Sequence, residues 1–566
     1  MEKILRVNMT RLQISQAEVP SEYKFLGGRG LTSRMLLDEV DPRCEALGPD
    51  NKVILAPGLL TGTVVPCSGR LSIGAKSPLT GAIKESNVGG TAAQALTRLG
   101  IKALVIEGMP QSDNQYLLRL DREGAALVPA PELADMGNYR LAETLLAKYG
   151  PDNSIISIGP AGEQQLPVAS VAVTNIEGQP SRHAGRGGMG AVLGSKGIKA
   201  VVVSSKGDFK KQPVRSEAFR EVAQGFGKNL VASKKALTNY GTAVLVNLIN
   251  NVGGLPTNNF SQGTFAGVES LSGEKLAAIC QERGGATGHA CHRGCVIRCS
   301  NIYHDAQGSY LTSGLEYETI ALMGSNLGIA GLDQVAAMDR ICDDLGLDTM
   351  EMGAALGVAM EGGVLSFGDA GGAQRLLVET AEGKTVLGRV LGQGATVTGK
   401  VLNVLRVPAV KGQGMSAYDP RALKGTGVTY ATSTMGSDHT AGNALPGRGK
   451  VELRKPEGQV QLSLSLQVMS SVCDILGICI FVGPVEESMV VCAELLSAFS
   501  GERWGQEEVL ALGRNLLKTE VEFNSKAGIG PVYNDVPEFM RKEALPGTDL
   551  VFDVDRDELE NIFRGL

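Results

Sequence analysis

Three cysteines lie close together in the middle of the chain, and a fourth lies far beyond them. Cys291, Cys295 and Cys299 occur in the segment ATGHACHRGCVIRCSN, and Cys479 follows 180 residues later in CDILGICIF. Thiolates separated by three residues on one loop can bind a single iron-sulfur core, whose fourth ligand commonly comes from a distant segment. If all four cysteines bind one cluster, the fold must bring residue 479 back to the loop around residue 295.

Two other roles for these cysteines stay open. Free cysteine is among the most buried residue types, but the polar neighbours His289, His292, Arg293 and Arg298 are unusual for a core segment. Zinc ligands favour two- to four-residue spacings in paired halves, and His292 keeps a zinc site in view. The pattern favours a cluster over both alternatives.

Length and composition are typical of a large intracellular enzyme. A chain of 566 residues predicts about three or four domains on the usual ~150-residue prior. The net charge of −6 gives no basic excess, so nucleic acid is not expected as a partner. Ten cysteines without a secretory leader indicate a reducing compartment, and no run approaches the ~18 apolar residues of a membrane span. We therefore predict a cytoplasmic protein.

The pattern of apolar residues changes after about residue 205. Before that point, short runs such as KVILA, RLSIGA, ALVIEG, SIISIG, ASVAVT and KAVVVSS alternate with turns, which predicts strands. Later segments carry apolar residues at helical spacing, as in LDQVAAMDRICDDLG, GAQRLLVETAEG, EESMVVCAELLSAFSG and EEVLALGRNLLKTEVEFN. The predicted fold is α+β, with a β-rich domain (1–208), two mainly helical domains (209–410 and 411–566), and a cofactor at their interface.

A short pattern occurs once in each predicted helical domain. Asp343 begins D-D-L-G-L-D, and Asp474 begins D-I-L-G-I-C. An ionised carboxylate can accept paired hydrogen bonds from adjacent N–H groups, such as those of a pterin's aminopyrimidine ring, and the glycine would end the helix. A helix that stops this way also arises by chance, but the second copy ends in Cys479 and would place a pterin beside the cluster.

Several segments resemble the tungsten-containing aldehyde:ferredoxin oxidoreductases over nearly the whole chain. They include LGGRGLTSRMLL (26–37), APGLLTGTVVPCSGRLSIGAKSPLTGAIKESNVGG (56–90), HAGRGGMGAVLGSKGIKAVVV (183–203), GLEYETIALMGSNLGI (314–329) and YDPRALKGTGVTYATSTMGSDHTAG (418–442). The resemblance implies a bis-pterin tungstopterin holding tungsten or molybdenum, a magnesium ion bridging the pterin phosphates, and a [4Fe-4S] cluster. It implies oxidation of an aldehyde to a carboxylic acid, with electrons passing to ferredoxin or a ferredoxin-like iron-sulfur subunit.

The resemblance also assigns individual positions to these cofactors. Those that would hold one pterin or the other are Asp343, Leu347, Asp348, Asp474 and Ile478. Asn87, Gly89, Arg186 and Gly187 would lie on loops of the β domain that contact the pterins. Arg70 would lie between a pterin and the cluster, where the fixed fork of guanidinium donors suits a phosphate or a cluster sulfur. Residues 185–190 also match G-x-G-x-x-G, but no buried strand is predicted to lead into them, so a nicotinamide site is not expected.

For catalysis the resemblance points to His439 and to a carboxylate of Glu316-Tyr317-Glu318. Aldehyde oxidation needs a group that moves a proton, which a histidine or a buried carboxylate can do near neutral pH. A single histidine is more often a structural residue, but His439 is one of five in the chain and lies in the turn-rich GSDHTAG. The two glutamates stay alternatives, because residues two apart face opposite ways on a strand.

The chain departs from the pattern of the best-known members at several places. Their cysteine loop has the spacing C-x2-C-x3-C, whereas this chain has C-x3-C-x3-C. They also have cationic side chains at the positions of Met435 and Ala441. The Glu-x-x-His metal bridge of one family dimer has no counterpart, since no histidine occurs between His304 and His439. A branch with an altered substrate, assembled as a homo-oligomer or with separate iron-sulfur subunits, therefore fits as well.

Two alternative functions stay open. The tungsten subunit of benzoyl-CoA reductase would need a further cysteine near Glu316, and none occurs between Cys299 and Cys342. A cluster-bearing electron-transfer protein or a scaffold would not need both aspartate motifs.

Overall fold

Two six-stranded sheets occupy the first 203 residues, as the alternation of β-branched runs and turns predicts. The computed structural model describes residues 1–112 and 114–566. The strands of the first sheet are β1 Lys3–Asn8, β2 Gln13–Glu18, β3 Val53–Pro57, β4 Leu71–Lys76, β5 Ile83–Val88 and β6 Ile101–Glu107, in the order β2-β1-β6-β3-β4-β5. Those of the second are β7 Tyr116–Asp121, β8 Gly124–Pro129, β9 Ser154–Ser157, β10 Val171–Val173, β11 Arg182–Ala184 and β12 Ile198–Val203, in the order β11-β10-β9-β12-β7-β8.

The central strands are apolar throughout because both of their faces are covered. Along β3, Val53 and Leu55 pack into the core between the two sheets, whereas Ile54 and Ala56 pack into a second core on the outer face. Helices α1 Gly28–Glu39, α2 Ala92–Arg98, α3 Asn138–Tyr149, α4 Pro160–Glu163 and α5 Met189–Ser195 accompany the sheets. This double coverage explains runs such as KVILA, which do not alternate between apolar and polar residues.

The rest of the chain is mainly helical, which confirms the α+β fold class. Its helices are α6 Ser216–Ser233, α7 Lys235–Tyr240, α8 Leu245–Asn251, α9 Gly273–Glu282, α10 Tyr317–Met323, α11 Leu332–Leu345, α12 Thr349–Glu361, α13 Ala370–Glu382, α14 Val386–Leu391, α15 Ala395–Leu402, α16 Lys424–Thr432, α17 Gln459–Leu476, α18 Glu486–Ser500, α19 Gln506–Lys526, α20 Glu538–Lys542 and α21 Arg556–Glu560. Small sheets add β13 Ala286–His289, β14 Ser300–His304, β15 Tyr310–Ser313, β16 Ala409–Val410 and β17 Gln413–Gly414.

Helices α11, α13, α18 and α19 confirm the four segments predicted from helical periodicity. The domain boundaries at 208 and 410 stay predictions. None of the helices in the described part of the chain combines the length and the apolar character that crossing a bilayer requires.

The two D-x-x-G motifs end α11 and α17 in the same way. Gly346 and Gly477 adopt left-handed conformations, with φ of 74° and 76°. The next residues, Leu347 and Ile478, donate their N–H groups back into the last helical turn at 2.8 and 2.9 Å, as in a Schellman motif. A Cβ on Gly477 would lie 2.6 Å from Cα of Gly58. Only glycine therefore allows this helix end to approach the first sheet so closely.

A buried ion pair fastens α1 to α19. Arg29 donates from Nε and one terminal nitrogen to Glu520, at 2.8 and 2.7 Å, and both side chains are almost fully buried. Ser33 and Thr434 also donate to the Glu520 carboxylate. The N-terminal domain and the last long helix are thus joined by a fully hydrogen-bonded charge pair.

We expect Glu520→Ala to lower the free energy of unfolding of the cofactor-free protein by about 3–5 kcal/mol. The reason is that Arg29 would stay buried without its main partner. Urea unfolding followed by circular dichroism measures the change. The matched control is Glu522→Ala on the same helix, which removes an exposed pair with Lys526 worth about 0.5 kcal/mol or less. Equal losses in the two variants would contradict the role of the buried pair.

Candidate functional site

A cavity of about 560 Å³ lies where the edges of the two sheets meet the helical region. The edges are close at this point, since the N–H of Arg186, just after β11, donates to Ser86 of β5 at 3.3 Å. The predicted site residues that line the cavity are Arg70, Asn87, Gly89, Arg186, Cys291, Cys299, Glu316, Glu318, Asp343, Leu347, Asp348, His439, Asp474 and Cys479. The fold thus gathers residues from positions 70 to 479 around one space.

The cysteine loop forms one corner of this cavity. Cys291, Cys299 and Cys479 line it, and the ligand atoms of Cys291, His292 and Cys295 lie within 4.8 Å of one another. The structure therefore brings residue 479 to the loop, as one shared cluster requires. Burial lowers the pKa of His292 to about 4, so its ring is neutral at pH 7. Which of these atoms bind a metal stays a prediction.

Cys67 lies between the two cysteine segments, although the spacing of the cysteines did not single it out. Its N–H donates to the carbonyl of Gly294 at 3.0 Å, and its carbonyl accepts from the N–H of Cys479 at 2.9 Å. It is fully buried, with a left-handed φ of 59° that is unusual for a residue other than glycine. One backbone unit of the N-terminal domain therefore ties the cysteine loop to Cys479.

The thiols at this corner hold their protons in the absence of a metal. The Cys291 thiol lowers the pKa of Cys295, but the Cys67 thiol and burial outweigh it and raise that pKa to about 11. Burial likewise raises the pKa of Cys299 and of Cys479. A metal that binds these thiols would therefore have to displace their protons, so its binding would depend on pH.

Arg70 lies beside the cysteines, as the sequence predicts. Its Nε donates to Oδ1 of Asn87, and one terminal nitrogen donates to the Asn87 carbonyl at 3.3 Å. A Cβ on Gly89 would lie 3.1 Å from Arg70 and 3.3 Å from Sγ of Cys291. Gly89 thus leaves room for the guanidinium group to stand next to the cysteine loop.

Asp343 faces the second sheet from the end of α11. Its Oδ1 lies 3.1 Å from Nε2 of His183, and the Tyr139 hydroxyl donates to Oδ2 at 3.3 Å. Nδ1 of His183 lies 2.8 Å from Oγ of Ser170. His183 therefore holds the carboxylate in a fixed orientation, a role that sequence analysis missed.

Asp474 faces the first sheet from the end of α17. Its Oδ2 lies 3.2 Å from Arg29, the same arginine that binds Glu520. Burial raises the pKa of Asp474, and burial together with the Asp474 charge raises the pKa of Glu85, which lines the same part of the cavity. The two motif aspartates thus occupy equivalent places at helix ends, one paired with a histidine and the other with an arginine.

Arg186 is held by carboxylates and a carbonyl on the helical side. Its Nε lies 3.5 Å from Asp348, one terminal nitrogen lies 3.4 Å from Glu351, and the other donates to the Ser437 carbonyl at 2.9 Å. Of the remaining predicted positions, Gly187 accepts a hydrogen bond from Ser77, and Ile478 is buried behind the cavity wall.

A second buried ion pair lies beside the predicted catalytic histidine. Nζ of Lys84 on β5 lies 2.5 Å from Oδ2 of Asp438, and both side chains are buried. Burial would raise the pKa of Asp438, but the charges of Lys84 and Arg186 outweigh it and hold that pKa well below its usual range. The pair fixes the segment that carries His439.

His439 is paired with Glu318. Nε2 of His439 lies 3.3 Å from Oε1 of Glu318, and Nδ1 lies 2.9 Å from Oγ of Ser416. The other Glu318 oxygen accepts from the N–H of Ala417 at 2.8 Å. Nδ1 therefore has a hydrogen-bond partner and Nε2 has a carboxylate in ion-pair contact, an arrangement suited to general acid–base chemistry.

The Glu316 side chain lines the same cavity but has different partners from Glu318. Thr242 donates to its Oε2 at 2.5 Å, Arg182 lies 3.9 Å from Oε1, and burial raises the pKa of the carboxyl group. The assumption that Glu316 and Glu318 lie on a strand is wrong. Glu316 is the extended residue before α10, and Glu318 lies in its first turn, so both side chains line the cavity.

The two positions at which the chain lacks the family's cations lie away from the cavity lining. Met435 and Ala441 are buried, and neither belongs to the described residues that line the cavity.

The prediction that no buried strand leads into residues 185–190 is wrong, because β11 precedes them. That strand is a three-residue antiparallel edge strand, whereas a dinucleotide site follows a buried parallel strand.

Comparison with known proteins gives one consistent result. Models of the aldehyde ferredoxin oxidoreductase family match residues 4–205 with the N-terminal domain and residues 217–561 with domains 2 and 3. The chain belongs to this family. It is therefore an oxidoreductase, and the predicted resemblance is confirmed.

Relatives of the protein have several named activities. The tungsten-containing aldehyde ferredoxin oxidoreductases of Pyrococcus horikoshii and Thermococcus kodakarensis are 32% and 31% identical to it, each match covering 96% of this chain and 92% of the relative. The WOR-like subunit of an aliphatic sulfonate oxidoreductase from Pyrococcus furiosus is 26% identical over 79% of this chain and 76% of the relative. The BamBC active-site complex of benzoyl-coenzyme A reductase, solved with 1,5-dienoyl-CoA, shares the fold with a TM-score of 0.82 at 18% identity, over 99% of this chain and 93% of that one.

Proposed function

We propose that the protein is a tungsten-dependent oxidoreductase that oxidises an aldehyde with water to a carboxylic acid and delivers two electrons to a ferredoxin or a ferredoxin-like subunit. The observation that carries this proposal is the His439–Glu318 pair, which lines the same cavity as the cysteine loop. The aldehyde and ferredoxin in the names of the tungsten-containing relatives support it.

The cavity fits a large polar cofactor. Four of its lining atoms are buried and make no hydrogen bond among the described residues. They are Nε of Arg182, which has no close partner in the described part of the chain, and Nε of Arg186, Oδ2 of Asp348 and Oε1 of Glu318, which have only the ion-pair contacts at 3.3–3.5 Å described above. Because buried polar groups are nearly always hydrogen-bonded, donors and acceptors in these places suit a ligand that offers both. Together with the cysteine sulfurs, they match the chemistry of a pterin and a cluster.

Each predicted residue would have a defined role toward these groups. Asp343, with Leu347 and Asp348, would hold one pterin, and Asp474 with Ile478 the other. The remaining pterin and magnesium contacts would come from Arg70, Asn87, Gly89, Arg186 and Gly187, and the cluster ligands would be Cys291, Cys295, Cys299 and Cys479. When bound, the tungsten centre supplies two-electron redox chemistry and the cluster supplies single-electron transfer.

The protein's own residues would handle the protons. Oxidation of one aldehyde with one water to a carboxylate releases two electrons and three protons. His439 would accept a proton at Nε2, and the Glu318 carboxylate, whose Oε1 lies 3.3 Å from that nitrogen, would stabilise the resulting imidazolium. Ser416 holds Nδ1 and keeps the ring in this orientation.

The same proposal predicts the cell compartment, the electron acceptor and the assembly of the enzyme. All ten cysteines are free thiols in the structure, which fits a reducing compartment, and we place the protein in the cytoplasm. Its electron acceptor would be a ferredoxin or an iron-sulfur subunit, in a homo-oligomer or a hetero-oligomer.

Anaerobic purification followed by metal analysis and a viologen assay tests the proposal. We expect about one tungsten or molybdenum and about four irons per chain, and reduction of a low-potential viologen with short aliphatic or aromatic aldehydes. Fully metallated protein that oxidises none of these aldehydes would disprove the aldehyde assignment. Absence of both metals after expression with tungstate and iron would disprove the cofactor assignment.

We expect Asp343→Ala and Asp474→Ala each to bind less pterin. Each change removes a charged acceptor from its N–H donors, at a cost of about 1.5–3 kcal/mol per site. Fluorescence of the oxidised, extracted pterin measures the content. The control is Asp208→Ala, which removes only an exposed pair with Arg122. Full pterin content in both motif variants would mean that the motifs serve only to end helices.

A further inference from the structure

Two cations line the cavity at a place that the proposed chemistry does not use. Lys234 follows α6, and Arg448 lies on the segment between His439 and α17. Both side chains are only partly exposed. Neither residue was singled out by the sequence patterns, because they lie more than 200 residues apart.

The two cations face one small volume in front of Gly483. A Cβ built on Gly483 would lie 3.4 Å from Nζ of Lys234 and 3.6 Å from both terminal nitrogens of Arg448. Burial and the charge of Arg448 lower the pKa of Lys234, and burial lowers the pKa of Arg448. Two like charges held this close repel each other, and an anion between them would relieve the repulsion.

The pair differs from the other cations of the cavity in having no protein partner. Arg182 and Arg186 lie within 4.0 Å of carboxylates, and Arg70 is hydrogen-bonded to Asn87. In the described part of the chain, Lys234 and Arg448 form neither a salt bridge nor a side-chain hydrogen bond. Because neither cation is neutralised by a carboxylate of the described residues, both are available to an anionic ligand.

The wall near this pair is apolar and continuous with the catalytic segment. Leu237, Leu245, Leu445 and Phe481 line it, and Thr440 follows His439 directly on the same segment. A ligand with a short apolar chain and an anionic end would match a wall of this kind, because apolar atoms gain from burial while the charge needs a counterion.

We propose that the aldehyde substrate carries an anionic group, which binds between Lys234 and Arg448 while the aldehyde end faces His439 and Glu318. The proposal rests on the proposed aldehyde oxidation. A carboxylate, a sulfonate and a phosphate share the required chemistry, and all three accept hydrogen bonds from an ammonium and a guanidinium group. Lys234 and Arg448 are then specificity-determining residues.

Steady-state kinetics with matched aldehydes tests this proposal. Succinate semialdehyde is compared with butanal, which has the same chain length without the charge, and sulfoacetaldehyde and glyceraldehyde 3-phosphate serve as the sulfonate and phosphate arms. We expect the wild-type protein to have a lower KM for at least one anionic aldehyde than for butanal. Lys234→Gln and Arg448→Gln should each raise that KM about tenfold or more, with little change in kcat and in the KM for butanal. The exposed neighbour Lys235→Gln is the matched control.

Other outcomes would overturn the proposal. Equal KM values for charged and neutral aldehydes in the wild-type protein would show that the pair does not select substrate. Loss of pterin from the variants would assign the cations to the cofactor phosphates, and a raised KM for ferredoxin with every aldehyde would assign them to docking of the electron acceptor.

A binding measurement separates this proposal from the proposed function. Calorimetric titration with butanoate and with its neutral isostere butanamide needs no turnover. If no aldehyde is oxidised, tighter binding of butanoate that is lost in the Lys234→Gln/Arg448→Gln double variant would still support an anion site. Equal binding of the acid and the amide by the wild-type protein would reject the anion site even if aldehydes are oxidised.

Discussion

Replacing His439 by alanine should lower kcat by about 10²-fold or more while tungsten and iron contents stay unchanged. The expectation follows from the contact between Nε2 of His439 and Oε1 of Glu318, because the carboxylate would stabilise the imidazolium formed when the proposed proton carrier takes up a proton. Viologen reduction at saturating aldehyde measures kcat, and metal analysis of the same sample shows that the site is intact. His304→Ala, outside the cavity lining, is the matched control.

Two glutamate variants sharpen this test. Glu318→Gln should also lower kcat and should change the pH profile, because the residue acts through His439. Glu316→Gln removes a carboxylate that binds Thr242 and lies near Arg182 instead, and it should leave the pH profile of kcat unchanged. A wild-type kcat in metallated His439→Ala protein would exclude the histidine as the proton carrier.

Cys479→Ala should lose iron and the broad visible absorption of the cluster, because one iron would lack its protein ligand. The N-terminal sheets should remain folded, since their cores do not include Cys479. Iron analysis, visible absorption and circular dichroism measure these effects. Cys295→Ala should have the same effect from the loop side.

Cys492→Ala provides the matched control for the loss of iron. Cys492 is also buried, but it lies within α18, outside the cavity lining. Its replacement should retain full iron content. Unchanged iron in Cys479→Ala would remove that residue from the cluster site, and iron loss in Cys492→Ala would indicate a general loss of structure.

The sequence predicted those elements whose apolar pattern reflects a simple environment. Strands β3, β4, β6, β9, β10 and β12 coincide with β-branched runs, and the periodic segments form helices. Strand β5 was not predicted, because Lys84, Glu85 and Ser86 interrupt its apolar residues. These polar side chains are buried because they face Asp438, the cavity and the Arg186 segment. The apolar pattern expected of a buried strand is thus absent where the site needs polar groups.

The candidate site was only partly predictable for a related reason. Linear motifs indicated the cysteines and the two aspartates, whereas family resemblance pointed to His439 and suggested the role of each residue. Cys67 and His183 reach the site through contacts with residues more than 100 positions away, such as Asp343, and no spacing rule covers such contacts. The pairing of His439 with Glu318 depended on where α10 begins, which a two-residue alternation cannot reveal.

The ion pair between Arg29 and Glu520 has a consequence for how the enzyme is made. A ribosome releases the N-terminal sheets first, and domains generally begin to fold in that order. Asp474 and Cys479 are among the last parts of the cavity wall to be synthesised, and Glu520, the partner of Arg29, follows them on α19. A nascent chain that contains only the N-terminal sheets therefore exposes a half-built cavity lined by Arg70, Glu85 and Asn87. We expect the cofactors to be enclosed late in synthesis, once the end of α17 has completed the wall and α19 has closed the ion pair with Arg29.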